Sequence, residues 1–222
     1  MEPLLTFPEA RVLGCLLEKA MATPDYYPMT VNSLIAACNQ SSNRHPVVSY
    51  GESEVEEALS GLRRKKLAAM LHLAGSRAPK YKHLAEEYFP GLRAAEHATL
   101  AVLLLRGPQT AAEIRTRTER LHAFADQEET DASLRRLQEY QTGPLVVCLP
   151  PGQGRRVAAY AHLLCGEAMA DAPAALPMTA TAPATLVPAA DWRTVLEAEV
   201  AALRARIEAL ETALGVTPPP QG

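Results

Sequence analysis

The chain has 222 residues, 48% of them hydrophobic and 21% charged, and carries a net charge of −3. The hydrophobic share is enough for a packed core and excludes wholesale disorder. The charge excludes a histone-like polycation, though not a local basic patch.

Aromatic residues make up only 5% against many Ala and Leu, which favours helices over an all-β sandwich. The cysteines at 15, 38, 148 and 165 form no CxxC, so no zinc-ribbon or thioredoxin motif is present. Their apolar settings read as reduced core positions of a cytoplasmic protein. The acidic N-terminus and the short apolar run Val12–Leu17 do not make a signal peptide.

In chain order, Thr6-x-x-Glu9 is a capping box that opens a helix. Val12, Leu13, Leu16, Leu17 and Ala20 then share one helical face. Thr30 caps a second helix carrying Leu34, Ile35 and Cys38. Gly51 starts a third. Its Glu52, Glu54, Glu56 and Glu57 suit the positive helix end, and Arg63 to Lys66 suit the negative one. Leu67–Leu73 reads as a strand, Gly75–Pro79 as a turn and Lys80–Leu84 as the return strand. The scheme then recurs. Leu100–Leu105 ends a helix at Gly107–Pro108. Thr110-x-x-Glu113 and Asp126-x-x-Glu129 are capping boxes for the next two helices. Leu145–Leu149 and Val157–Leu163 form a hairpin.

The recurrence is also visible in the letters. Gly, Arg, Tyr, His and Leu of 75–84 return in 154–163 at a constant offset, which points to a duplicated unit. Residues 1–85 and 86–170 are read as two domains, each with three helices and a β-hairpin. This is the winged helix-turn-helix plan, and the fold class is mainly α with small hairpins (α+β). Residues 171–190 form an Ala/Pro-rich linker, 191–215 a coiled-coil helix and 216–222 a disordered tail. In the helix, Leu196, Val200, Leu203, Ile207, Leu210 and Leu214 are spaced 4-3-4-3-4. β-branched residues at a and Leu at d favour a parallel homodimer. A helix folded back on its own domains is the competing arrangement.

The stretch Tyr27–Val47, with Ala-Cys-Asn-Gln followed by Asn-Arg-x-Pro-Val, resembles the YceH-like proteins of bacteria. So do Glu52-Ser-Glu-Val55, Gly75-Ser-Arg-x-Pro-Lys-Tyr81 and Gly143-Pro to His162-Leu-Leu. The resemblance spans residues 8–167. It implies tandem winged helices and no settled activity. Ser41 stands where the resemblance implies a lysine.

Two binding functions follow from the residues. Residues 58–85 carry Arg63, Arg64, Lys65, Lys66, Arg77, Lys80 and Lys82 and no acidic residue. Such a wing suits contacts to phosphates of double-stranded DNA. Asn39, Gln40, Asn43 and Arg44, between the second and third helices, have the chemistry to read base edges. The same residues equally suit a hydrogen-bonded turn. Against direct readout, the third helices begin with clustered carboxylates, which phosphates repel. Those carboxylates favour the alternative, an interaction scaffold whose protein partner has a basic surface. No membrane partner is expected. The six histidines form no HxxxH or HExxH signature, and no phosphate-cradling glycine loop is present. We therefore expect no catalytic residues, no metal and no cofactor.

Overall fold

The computed structural model describes residues 4–73, 78–151 and 156–166. Helix α1 (Phe7–Ala22) starts at the expected capping box. The Thr6 hydroxyl accepts from the Glu9 N–H at 3.4 Å, and the Glu9 carboxylate accepts from the Thr6 N–H at 2.7 Å. After a short 3-10 turn, α2 (Val31–Cys38) is capped by the Thr30 hydroxyl, which accepts from Ser33. Helix α3 (Glu52–Arg64) begins at Gly51, whose N–H donates to the Glu54 carboxylate at 2.6 Å. It ends with Leu67 N–H donating to the Leu62 carbonyl and Lys66 in the left-handed region at φ 60°. Glycine usually occupies that position.

Strands β1 (Ala68–Leu71) and β2 (Lys80–His83) pair antiparallel, with Met70 opposite Tyr81. Tyr81 also exchanges both backbone hydrogen bonds with Met29, at 3.0 and 2.7 Å, which ties the hairpin to the start of α2. A single turn, α4 (Ala85–Tyr88), leads into the second half. The sequence pattern does not reveal it, because one helical turn is too short to show a period.

The second half repeats the order. Helix α5 (Ala94–Arg106) stops at Gly107, φ 73°. Helices α6 (Ala111–Thr118) and α7 (Gln127–Gln138) follow, then the antiparallel strands β3 (Val146–Leu149) and β4 (Ala159–His162). Gln109 and Tyr160 exchange backbone hydrogen bonds at 3.0 and 2.7 Å, just as Met29 and Tyr81 do. The Thr110 box is reciprocal, as expected. At α7 the Asp126 carboxylate accepts from Glu129 N–H, but the Glu129 carboxylate reaches Ala125 N–H instead of Asp126. The reciprocal half of that box is therefore displaced by one residue.

The observed strands are shorter than the sequence suggests. Leu67 and Leu145 lie just outside them, yet their carbonyls still accept from Leu84 and Leu163 at 2.8 Å. The molecule is thus α+β, with seven α-helices and two small antiparallel sheets among the described residues. The linker, the heptad helix and the tail (171–222) lie outside the described residues, as does Arg77.

One core runs through both halves, from Leu5 to Leu164, with α1 and α5 at its centre. Gly14 sets their approach: a Cβ there would lie 3.0 Å from Leu104 and Leu105 side-chain atoms. Backbone bonds also join the halves, Leu5 N–H to the Leu164 carbonyl and His45 N–H to the Leu105 carbonyl, both 2.8 Å.

Candidate nucleic-acid interface

Strand β2 reads Lys-Tyr-Lys-His, and a strand sends alternate side chains to opposite faces. Tyr81 is buried in the core, so Lys80 and Lys82 occupy the other face. Arg63, Arg64 and Lys66 are exposed at the end of α3, the element that feeds directly into β1. None of these five cations makes an ion pair among the described residues; Arg64 only donates to Ser60 Oγ at 3.1 Å.

Lys65 is a correction. Sequence reasoning placed it with the phosphate-facing cations. Its ammonium instead turns inward to the carboxylate of Glu9, which is 5% exposed. The buried carboxylate needs a counter-charge, and Lys65 is the cation at the right end of α3.

The segment between α2 and α3 needs two more corrections. Asn39 does not present its amide outward. Its Nδ2 donates to the Tyr50 carbonyl at 2.8 Å and its Oδ1 accepts from Tyr50 N–H at 2.7 Å, closing the segment like a clasp. Arg44 is 5% exposed. Its guanidinium donates to both oxygens of Glu18, at 3.1 and 2.6 Å, and to the carbonyls of Ala37 and Asn43 at 2.9 Å. Burial pulls its pKa down, and the Glu18 hydrogen bond and charge more than restore it, so the group stays charged. Asn43 is exposed at φ 61°, and its Oδ1 accepts from Arg106. Gln40 is half-buried and makes no side-chain hydrogen bond among the described residues. The turn reading therefore accounts for Asn39 and Arg44, while Gln40 stays at the surface of the segment.

The entering turn of α3 is acidic and exposed through Glu52, Glu54, Glu56 and Glu57, and that of α7 through Asp126 and Glu128. In the second half, Arg136 is committed to the buried Glu96 at 2.6 and 2.8 Å, while Arg135 and Arg156 are exposed.

Residues 5–155 match the family described as "Protein of unknown function, DUF480". The chain belongs to this family. A UPF0502 protein of Pelobacter propionicus is 48% identical over 211 residues, covering 95% of this chain and 94% of its own length. A UPF0502 protein of Geobacter sulfurreducens is 53% identical over 167 residues, 75% of each chain. A third, from Vibrio cholerae, is 48% identical over 162 residues, 72% of this chain and 75% of the relative. These relatives carry the name UPF0502, so the resemblance seen in the sequence holds at the level of an uncharacterised family.

In this family member, sequence reasoning missed the charges that the interior holds. Glu9, Arg11 and Glu96 are at most 5% exposed, and each sits on α1 or α5 amid apolar neighbours. Glu9 carried one signal, its place in a capping box, but capping boxes are ordinarily at the surface. Arg11 carried none. Among the described residues no group of three or more His, Cys, Asp or Glu could hold a metal ion, and no helix is long and apolar enough to cross a membrane.

Proposed function

We propose that this chain is a non-enzymatic, cytoplasmic protein of two winged-helix units that binds double-stranded DNA through its first hairpin and the end of α3. The carrying observation is the set Arg63, Arg64, Lys66, Lys80 and Lys82: cations on adjoining elements, without carboxylate partners among the described residues. Phosphates are the partners such cations take. The repeated order of three helices and a hairpin, with a third segment bridged to each hairpin, supports the winged-helix reading. Arg77, which falls between the two strands in the sequence, would add to the same set. Sequence preference is weak in this reading, because the carboxylates opening α3 keep that end out of a groove.

The heptad seam from Leu196 to Leu214 would pair two chains, and two weak sites joined together gain effective concentration. Deleting residues 191–222 should convert a dimer to a monomer in light scattering. Unchanged stoichiometry would reject the seam.

The test of DNA binding is fluorescence anisotropy on random duplex DNA across a salt titration. Affinity should fall steeply with salt. In the variant with Arg77, Lys80 and Lys82 changed to Gln, the log–log slope should shrink by about 3 units, near 0.9 for each lost phosphate contact. Affinity and slope equal to the parent's would overturn the reading. A second reading, a scaffold for a protein with a basic surface, is favoured by the exposed carboxylates opening α3 and α7. Absence of DNA binding even at low salt would move the function there.

A further inference from the structure

Beneath the α2–α3 segment lies chemistry that DNA binding does not use. Cys15 in the middle of α1 and Cys38 at the end of α2 are both 0% exposed, and the Cys38 thiol donates toward the Cys15 sulfur at 3.8 Å. Arg11 stands one helical turn before Cys15 on α1 and is itself 0% exposed. Its Nη2 donates to the Pro46 carbonyl at 2.6 Å and its guanidinium lies over the Phe7 ring at 5.6 Å, while Nε and Nη1 have no hydrogen-bond partner among the described residues. A guanidinium so enclosed calls for a negative group. The Arg44 guanidinium lies beside it, bonded to the carbonyl just before Cys38.

We infer that Cys15 and Cys38 form a dithiol that hydrogen peroxide oxidises to a disulfide across α1 and α2, with Cys15 as the attacking sulfur and Arg11 as its counter-ion.

The environment separates the roles of the two thiols. Burial and the Glu18 charge push Cys15 up, but the Cys38 hydrogen bond, the Arg44 charge and the smaller effect of Arg11 bring it below the ordinary thiol value. Cys38 is pushed up by that same hydrogen bond and by burial, and keeps its proton. The Cys15 thiolate attacks one peroxide oxygen. The O–O bond breaks, and hydroxide leaves to combine with the proton that Cys15 had released. Cys38 sulfur then attacks the Cys15 sulfenic acid. The S–O bond breaks, and water leaves with the Cys38 proton. Two thiols and one peroxide become one disulfide and two waters. The uncommitted Arg11 donors would hold the departing oxygen. A small neutral oxidant is the fitting one, because both sulfurs are shielded from bulky disulfides. The sulfurs must close from 3.8 Å to about 2.05 Å.

The experiment uses the full chain with Cys148→Ser and Cys165→Ser, so that only this pair reacts. Native protein is treated with hydrogen peroxide and analysed by intact mass and peptide mapping. The expected result is loss of two hydrogens and a linked peptide pair containing Cys15 and Cys38, reversed by a thiol reductant. Cys38→Ser in the same background should leave a Cys15 sulfenic acid that a 1,3-dione captures. Cys15→Ser should leave Cys38 a free thiol. Retention of both thiols in the native protein, or a link that forms only after denaturation, would overturn the inference. None of these readouts depends on DNA.

Discussion

The ammonium of Lys65 meets the carboxylate of Glu9, 56 residues earlier, and so fastens the end of α3 to the start of α1. The second half has the same device: the Arg136 guanidinium grips Glu96, which also accepts from the Arg93 N–H at 2.8 Å. In each half the third residue of the first helix serves its own cap and the far end of the third helix together. Lys65→Met should therefore cost ~1–3 kcal/mol in urea unfolding, since it strands a buried carboxylate. Arg63→Ala and Arg64→Ala should stay within about 0.5 kcal/mol, because both are exposed. Equal effects at all three positions would reject the distinction.

The contrast shows what the sequence could and could not say. Helix starts were legible at Thr6, Thr30 and Thr110, because a cap is a local hydrogen bond between residues three apart. The hairpins were legible because alternation about Tyr81 and Tyr160 is also local. What Lys65 and Arg44 touch was not legible, since Glu9 and Glu18 reach them only after α1 packs on α2 and α3. Four adjacent cations at a helix end look alike as letters, and tertiary packing singles out one of them. The site was therefore legible as a run of charge, but its members were not separable.

Gly61 offers a sharper check on the same tie. A Cβ there would fall 2.0 Å from Glu9 Oε1, and that carboxylate is held by both Thr6 and Lys65. Alanine ordinarily stabilises a helix over glycine by up to about 1 kcal/mol. Here the clash should win, and Gly61→Ala should destabilise by ~1–3 kcal/mol. A gain in stability on urea titration would mean that Glu9 can swing away freely.

Arg44 should behave as a core residue. Arg44→Met removes every donor of that side chain to Glu18 and the Ala37 carbonyl, leaving a largely buried carboxylate with only the longer 3.5 Å ion pair to Lys19. The expected loss is ~3–5 kcal/mol. Adding Glu18→Met should recover part of it, because the stranded charge disappears as well. A double-mutant cycle measures the coupling directly, and additive losses would argue against the pair.

Acid sensitivity should come first from buried histidines, with His83 and His162 foremost and His97, which burial also lowers, beside them. Burial lowers His83 to about 4, with help from the neighbouring His97, and burial alone lowers His162 to about 4. Both rings are neutral in the folded chain at pH 6, whereas the unfolded chain protonates them near 6.5. Below 6.5 the unfolded state binds more protons, so stability must fall as pH drops from about 6.5 to about 4. Each ring can account for up to roughly 3 kcal/mol across that window. The Ala125 N–H bond lowers Glu129, and at Glu113 the Thr110 hydrogen bonds outweigh the opposing effect of burial. Both carboxylates sit below their ordinary 4.5, so their loss comes at lower pH and does not mask the histidines. Urea midpoints measured from pH 7.5 to 4.5 should hold down to about 6.5 and then decline, less steeply in His162→Gln, whose amide does not titrate. A midpoint unchanged over that range would mean that the two rings take up protons while the chain stays folded.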